Sequence, residues 1–392
     1  MQLARLREVP WEALRPDVAL PAIGRTLTGS PAEREVDRAL RSDRGLSREE
    51  RAAVVESIFG VALWRRRLAW QAGGSDIPRT LLACLLRDLA GLPEPRALAL
   101  CGLDPAPPQR PAPVRLADRW SLPDWLEQIL LGQLGSEVDR FCAAISVPGP
   151  VCLRANRLLC TRDELARELA SQGLETHPAP RAADALYVIS KRPNLFALDA
   201  WRRGWFEPQD EGSQLLGALA TGATVLDLCA GAGGKSLLLA ARGAKVFAHD
   251  PDAGRLARLR TRAARARAEI AIVNVPEPSD TVLVDAPCSE LGALRRGPDA
   301  RWRIQPQDFP ALERLQRDLL ETAVRYARKR LVYATCTLRR EENEDVALDF
   351  EERAPGWRRV PPEDCATADG FFRCLPHLHG TDGFFAAIWE RA

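Results

Sequence analysis

Apolar positions recur at helical spacing through the first hundred residues of the chain and then change rhythm. In SREERAAVVESIFGVALWRRRLAW (47–70) a Ser precedes the apolar stripe and a Glu follows three residues later, the pairing that caps a helix start reciprocally. PRTLLACLLRDLAG (78–91) predicts a second helix, opened by Pro78 and closed by Gly91. DPAPPQRPAPV (104–114) breaks the pattern, because proline lacks the amide hydrogen a helix needs, and reads as an extended linker. Helical spacing resumes in LPDWLEQILLGQLG (122–135) and SEVDRFCAAI (136–145).

The next stretch alternates. PVCLRANRL (150–158) and ALYVIS (185–190) predict strands on either side of a capped helix, TRDELARELASQG (161–173). Arg154 and Arg157 sit on or beside the first of these strands; they are candidate RNA contacts, and solvated surface arginines on the plainer view. From about residue 214, apolar strands alternate with helices: TVLDLCA (224–230), KVFAHD (245–250), DTVLVDA (280–286) and RLVYATC (330–336). Continuous apolar strands of this kind are buried on both faces and predict the parallel sheet of an α/β domain. The expected division is a helical domain over 1–145, a small mixed subdomain over 146–205 and the α/β domain over 206–392. Ligands of such sheets bind beyond the carboxyl ends of the strands.

Composition narrows the class. A chain of 392 residues exceeds one small core, and 46% hydrophobic with 28% charged residues is ordinary for a globular protein. No apolar run approaches the roughly 18 residues of a membrane span. The charged segment MQLARLREVPWEALRP lacks a signal peptide's apolar centre, so the expectation is a cytoplasmic protein, by default a monomer. A net charge of +2 gives little indication of a nucleic-acid partner. Lysine occurs only at Lys191, Lys235, Lys245 and Lys329, so each marks a place where a compact ammonium is kept in an arginine-biased chain. The ten cysteines form no C-x-x-C pair and no cluster with His, which predicts neither a disulfide framework nor a metal site.

VLDLCAGAGGKS (225–236) is a strand running into a glycine turn and a helix, where backbone and free N–H groups approach a ligand closely. A Walker A loop needs Gly where Cys229 stands, and a dinucleotide fingerprint from Gly231 and Gly233 needs Gly where Ser236 stands. The methyltransferase reading remains, against a plain turn with a cap-like Asp. In it Asp227 and the turn Cys229, Ala230, Gly231, Ala232, Gly233, Gly234 and Lys235 hold the methionine part of S-adenosylmethionine, and Asp250 accepts from the ribose hydroxyls. DAPCS (285–289) and YATCT (333–337) each follow a buried strand and bring a Cys to the same rim. Carbon-5 of a pyrimidine is a poor nucleophile until a thiolate adds to carbon-6 and makes the ring an enamine. A second group must then take the carbon-5 proton, so two cysteines and a carboxylate suit this chemistry better than packing alone.

DLCAGAGGKS, DAPCS, YATCTLRREEN and HGTDGFF resemble the bacterial RsmB-type RNA (cytosine-5)-methyltransferases, relatives of the eukaryotic NSUN enzymes, and FEPQDEGSQ (206–214) is similar to a further motif of that family. The similarity runs from about residue 150 onward; the helical region is similar, less specifically, to the NusB-like RNA-binding domain of the family. The resemblance implies a class I S-adenosylmethionine-dependent methyltransferase domain with a Rossmann-like, mostly parallel sheet, a small α+β RNA-binding subdomain and an all-α front end. It implies Cys336 as nucleophile, Cys288 as the group that assists release, Asp285 as the holder of the cytosine's exocyclic amine and ring nitrogen, and Lys235 as a group reaching the base. DNA cytosine-5 methyltransferases take the nucleophile from the Pro-Cys motif instead. Ribosomal RNA of the small subunit is the implied substrate, with transfer RNA an alternative.

Three features depart from the family pattern. EIAIVNVPEPSD (269–280) is short and offers Asn274 where an Asp commonly meets the adenine amine, Ala232 replaces a common Pro, and Glu290 stands where small residues are frequent. Between the Cys motifs, LGALRRGPDARWRIQ (291–305) offers Arg295, Arg296, Arg301 and Arg303 for phosphates and Trp302 for stacking a base, or else a solvated basic loop with one core Trp. The acidic run EENED (341–345) is expected as the exposed first turn of a helix, and His249, His377 and His379 as structural. Two rival functions stand beside the main one. A small-molecule or protein methyltransferase on this fold needs no second cysteine, and a catalytically impaired RNA-binding assembly factor would bind RNA with little cofactor heat.

Overall fold

The computed structural model describes residues 3–190, 194–297 and 299–392; Lys191 lies outside them. The chain divides into two compact units, Met1–Pro148 with Leu294–Pro306, and Gly149–Ala293 with Gln307–Ala392.

The first unit is helical. Its central helix, Arg48–Gln71, begins as the sequence predicts: Ser47 Oγ accepts from Glu50 N at 3.1 Å, and Glu50 Oε2 accepts from Ser47 N at 2.7 Å. Ile58, Trp64 and Leu68 of that helix pack with Leu81, Leu82 and Leu85 in a closed core. The segment after Ala293, expected as an RNA-facing loop, is part of this unit. Arg301 is fully buried and donates to the carbonyl oxygens of Trp120 at 3.3 Å and Ile145 at 3.4 Å. Trp302 donates its indole N–H to Ala62 O at 3.0 Å and lies under the Arg65 guanidinium, 4.9 Å from the ring centre. Arg303 pairs with Asp299, whose carboxylate also accepts from Ala32 N. Arg301 therefore serves packing rather than RNA, because its head group is spent on helix-end carbonyls. Arg295 is buried and Arg296 exposed, both on the wall of a mainly apolar cavity of about 580 Å³ within the helical unit.

The second unit contains two sheets. The smaller is antiparallel, built from β1 (Cys152–Ala155), β2 (Thr176–Pro178), β3 (Ala185–Val188) and β4 (Phe206–Pro208) in the order β2-β3-β1-β4. Phe206–Pro208, expected just ahead of the α/β sheet, is thus an edge strand of the small one. Helix Arg162–Ser171, capped by Thr161 and Glu164, packs Leu165 and Leu169 against Leu153 and Leu186.

The larger sheet comprises β5 (Thr224–Asp227), β6 (Lys245–Ala248), β7 (Ile270–Ile272), β8 (Ser279–Asp285), β9 (Ala327–Thr335), β10 (Trp357–Arg359), β11 (Phe372–Cys374) and β12 (Phe384–Arg391). Its order is β10-β12-β9-β8-β5-β6-β7, with β11 beside β12. Strands β5 to β9 run parallel, and β12 returns antiparallel against β9. Val282, Leu283 and Val284, like Leu331 to Ala334, are buried without alternation, as a sheet covered on both faces requires. The chain moves outward from β5 to β7 and then jumps back to β8, so the strand order reverses between β5 and β8. That reversal opens a crevice at the carboxyl edge, the usual ligand position in such sheets.

Candidate active site

The crevice is a cavity of about 600 Å³, within the range of small-molecule sites, and the second unit supplies all of its lining. Asp227 ends β5 at its floor. Ser236 Oγ donates to Asp227 Oδ2 at 2.6 Å, while Oδ1 is buried with no hydrogen-bond partner among the described residues. Burial pushes this carboxyl up to about 7, against the hydrogen bond from Ser236. Asp250, just after β6, accepts from Gly231 N at 2.8 Å on one oxygen and from Asp252 N at 2.8 Å on the other.

Cys229, Ala230, Gly231, Ala232, Gly234 and Lys235 line the cavity, as expected. Gly233 does not: its φ is +84°, and a Cβ there would come within 2.6 Å of Leu259 Cγ, so this glycine lets helix Ala253–Ala266 approach. Two buried or half-buried arginines hold the turn's carbonyls. Arg154 donates to Gly234 O at 2.9 Å and to Gln209, and Arg262 donates to Ala232 O at 2.7 Å. Arg154 is therefore a support of the glycine turn, not an RNA contact, and burial lowers its pKa to about 10. Arg157 is exposed and paired with Asp184 at 2.5 Å. Asn274 is exposed and absent from the cavity wall, where Pro276 stands instead. The backbone bends at Asn274, just past β7.

Asp285 ends β8 opposite Ala334 of β9, so the two Cys loops leave the sheet at one level. Cys288 Sγ lies 3.4 Å from Cys336 Sγ and accepts from Cys336 N at 3.4 Å. Both sulfurs are on the cavity wall with Asp285, Lys235 and Glu290. The Cys288 contact and burial hold the Cys336 thiol well above its ordinary range, and Glu290 and Asp285 add to the effect. Lys235 Nζ is 2.5 Å from Asp285 Oδ2. Burial pulls this ammonium down, but Asp285 more than offsets it and the net shift is upward. Behind Cys336, Gly292 N donates to Cys336 O at 2.9 Å, and Gly383 N donates to Gly292 O at 2.9 Å. A Cβ on Gly383 would sit 2.8 Å from Gly292 Cα, and one on Gly292 2.3 Å from Gly383 O, which accounts for both glycines at this crossing, the second that of HGTDGFF.

Residues 215–390 match the family model described as 16S rRNA methyltransferase RsmB/F, and residues 122–193 match the ferredoxin-like domain of RsmF/B-like methyltransferases. A Synechocystis protein named probable ribosomal RNA small subunit methyltransferase B is 30% identical over 307 residues, spanning 71% of this chain and 69% of that protein. The chain belongs to the RsmB/F family. Another relative, ribosomal RNA small subunit methyltransferase B of Pseudomonas putida, is 29% identical and spans 94% of this chain and 96% of its own length. In fold, this RsmB/F-family chain is similar to a methyltransferase homologue from Pyrococcus horikoshii, with a TM-score of 0.62 at 23% identity over 70% of this chain and 97% of that one. The class I methyltransferase fold expected from the motifs is therefore the fold found. Among the described residues no group of His, Cys, Asp and Glu is placed to hold a metal, and no helix is long and apolar enough to cross a membrane.

Site residues that the sequence did not single out are Arg262, which donates to Ala232 O of the glycine turn, Gln209, which accepts from Arg154, and Glu342, buried against the Cys288 loop. The run EENED was expected on the surface; Glu342 and Asn343 within it are fully buried.

Proposed function

We propose that this protein methylates carbon-5 of a cytosine in small-subunit ribosomal RNA, with S-adenosylmethionine as donor and Cys336 as nucleophile. The observation that carries the reading is the 3.4 Å approach of Cys288 Sγ to Cys336 Sγ on the wall of the cavity that Asp227 and Asp250 close from below. A methyltransferase acting on a small molecule or protein has no use for the second sulfur.

The residues present fit the donor. Asp227 Oδ1, buried without a partner among the described residues, is ready to accept from an amino group, and the two oxygens of Asp250, already oriented by backbone N–H groups, retain lone pairs for vicinal hydroxyls. When bound, the donor supplies an electrophilic methyl group. The chain's own residues do the rest. Cys336 adds its sulfur to carbon-6 of the cytosine as its thiol proton passes to the ring nitrogen. Asp285 accepts from the exocyclic amine and relays that proton to the ring nitrogen, and Lys235 holds Asp285 in place. Cys288 takes up the carbon-5 proton, after which the Cys336–carbon-6 bond breaks and the methylated base leaves. RNA contact beyond the crevice is assigned to the exposed Arg157 and Arg296 and to the helical unit.

The test is incubation of the purified protein with in vitro transcribed 16S rRNA and isotopically labelled donor, followed by nucleoside mass spectrometry. Label in 5-methylcytidine alone supports the proposal; label in any other nucleoside, or heat of RNA binding with no heat of donor binding, contradicts it.

A further inference from the structure

Glu342 and Asn343 are neighbours in sequence, both fully buried, and each grips a different Cys loop. Glu342 Oε2 accepts from Ser289 N at 2.9 Å, and its other oxygen accepts from Ser289 Oγ at 2.5 Å; Ser289 follows Cys288 directly. Gln316 joins the same anchor, donating to Glu342 Oε2 at 3.0 Å and to Pro287 O at 2.9 Å. Asn343 takes the other side: its Oδ1 accepts from Thr335 Oγ1 at 2.5 Å and its Nδ2 donates to Thr337 O at 3.1 Å, so it holds the residues flanking Cys336. The two halves meet where Ser289 Oγ and Thr337 Oγ1 lie 2.7 Å apart. Tyr333 O–H fixes the base of the pair through Glu342 O at 2.5 Å.

We infer that Glu342 and Asn343 are positioning residues that set the separation of the two reactive sulfurs, Glu342 by placing Cys288 and Asn343 by placing Cys336. The inference rests on the roles given above to those cysteines. A carboxylate is required at 342 because both of its oxygens accept, from Ser289 N, Ser289 Oγ, Gln316 Nε2 and Arg339 Nη1. A glutamine side chain has one accepting oxygen, and its amide hydrogens would face groups that already donate. The Ser289 end of the clamp then loosens, and Cys288 with it, while Thr335, Thr337 and Cys336 remain held by Asn343. The two variants thus separate two steps that a merely supportive core residue would impair together.

The experiment uses the full chain, 16S rRNA transcript and S-adenosylmethionine, and follows the covalent protein–RNA adduct on denaturing gels beside methyl transfer in a single turnover. Glu342→Gln is expected to bind the donor as wild type does, to form adduct at a near-normal rate and to release it about a hundredfold more slowly. Asn343→Ala is expected to slow adduct formation itself by a comparable factor without accumulating adduct. Ser289→Ala, which removes only the hydroxyl contacts, is expected to slow release about tenfold; should Glu342→Gln fail to fold, wild-type release by Ser289→Ala overturns the inference. It is also overturned if Glu342→Gln slows attack and release equally, or neither. Adduct accumulation by Cys288→Ala beside normal release by Glu342→Gln overturns the positioning role alone, whereas free turnover by Cys288→Ala overturns the role of Cys288 and this inference with it.

Discussion

Lys235 Nζ lies 2.5 Å from Asp285 Oδ2, tying the helix after the glycine turn to the end of β8, and the two partners differ in depth: the Lys235 side chain is 10% exposed and that of Asp285 32%. Removing the shallow partner strands the deep one. Asp285→Asn is therefore expected to destabilise the protein by about 3 kcal/mol, and Lys235→Met by clearly less, because the carboxylate left behind reaches water. Denaturant unfolding of both variants checks the order; both should lose methyl transfer.

Asp227 gives a pH signature. Its carboxyl is raised to about 7 by burial, so between about 4 and 7 the folded protein holds a proton that the unfolded chain has released. The associated stability is present in acid and is lost as pH rises through 7, at no more than about 1.4 kcal/mol per pH unit. In thermal melts without donor, Asp227→Asn should outlast wild type at pH 8 and match it near pH 4, while losing donor binding. Identical pH dependence in the two proteins contradicts this origin.

The Cys288 contact is the largest influence holding the Cys336 thiol up. Cys288→Ala should then bring Cys336 down and speed its alkylation by iodoacetamide at neutral pH, read from the modified peptide by mass spectrometry. An unchanged or slower rate contradicts the coupling.

Much of the fold was legible because β5, β6, β8 and β9 are apolar in unbroken runs, and the helix caps at Ser47 and Thr161 carry local signatures. Both cysteines and the Asp227 and Asp250 ends followed from strand-end placement. What was not legible depends on partners distant in sequence. Arg301 and Trp302 read as a basic, base-stacking loop, yet carbonyls of Trp120, Ile145 and Ala62 absorb them. Glu342 read as an exposed helix-start carboxylate, yet Ser289 and Gln316, more than twenty residues away, draw it inside. Asn274 lies exposed in a bend just past β7, and Pro276 lines the crevice instead, a placement that the sequence pattern does not carry.

Arg301 tests that correction. It is fully buried, its Nε has no partner among the described residues, and burial lowers its pKa to about 10. A buried charge held by carbonyls rather than by a carboxylate, among the described residues, is replaceable, so Arg301→Met should keep or raise the melting temperature and leave RNA affinity unchanged. Weaker RNA binding at an unaltered melting temperature would restore the loop's RNA role.

In the proposed reaction the sulfur after β9 attacks and the sulfur after β8 releases. Wild type, Cys336→Ala and Cys288→Ala are incubated with 16S rRNA transcript and S-adenosylmethionine, and denaturing gels are probed for protein that migrates with RNA. No adduct and no methyl transfer are expected with Cys336→Ala, and a stable adduct with Cys288→Ala. Methyl transfer by Cys336→Ala, or an adduct that persists in it, rules out Cys336 as the nucleophile.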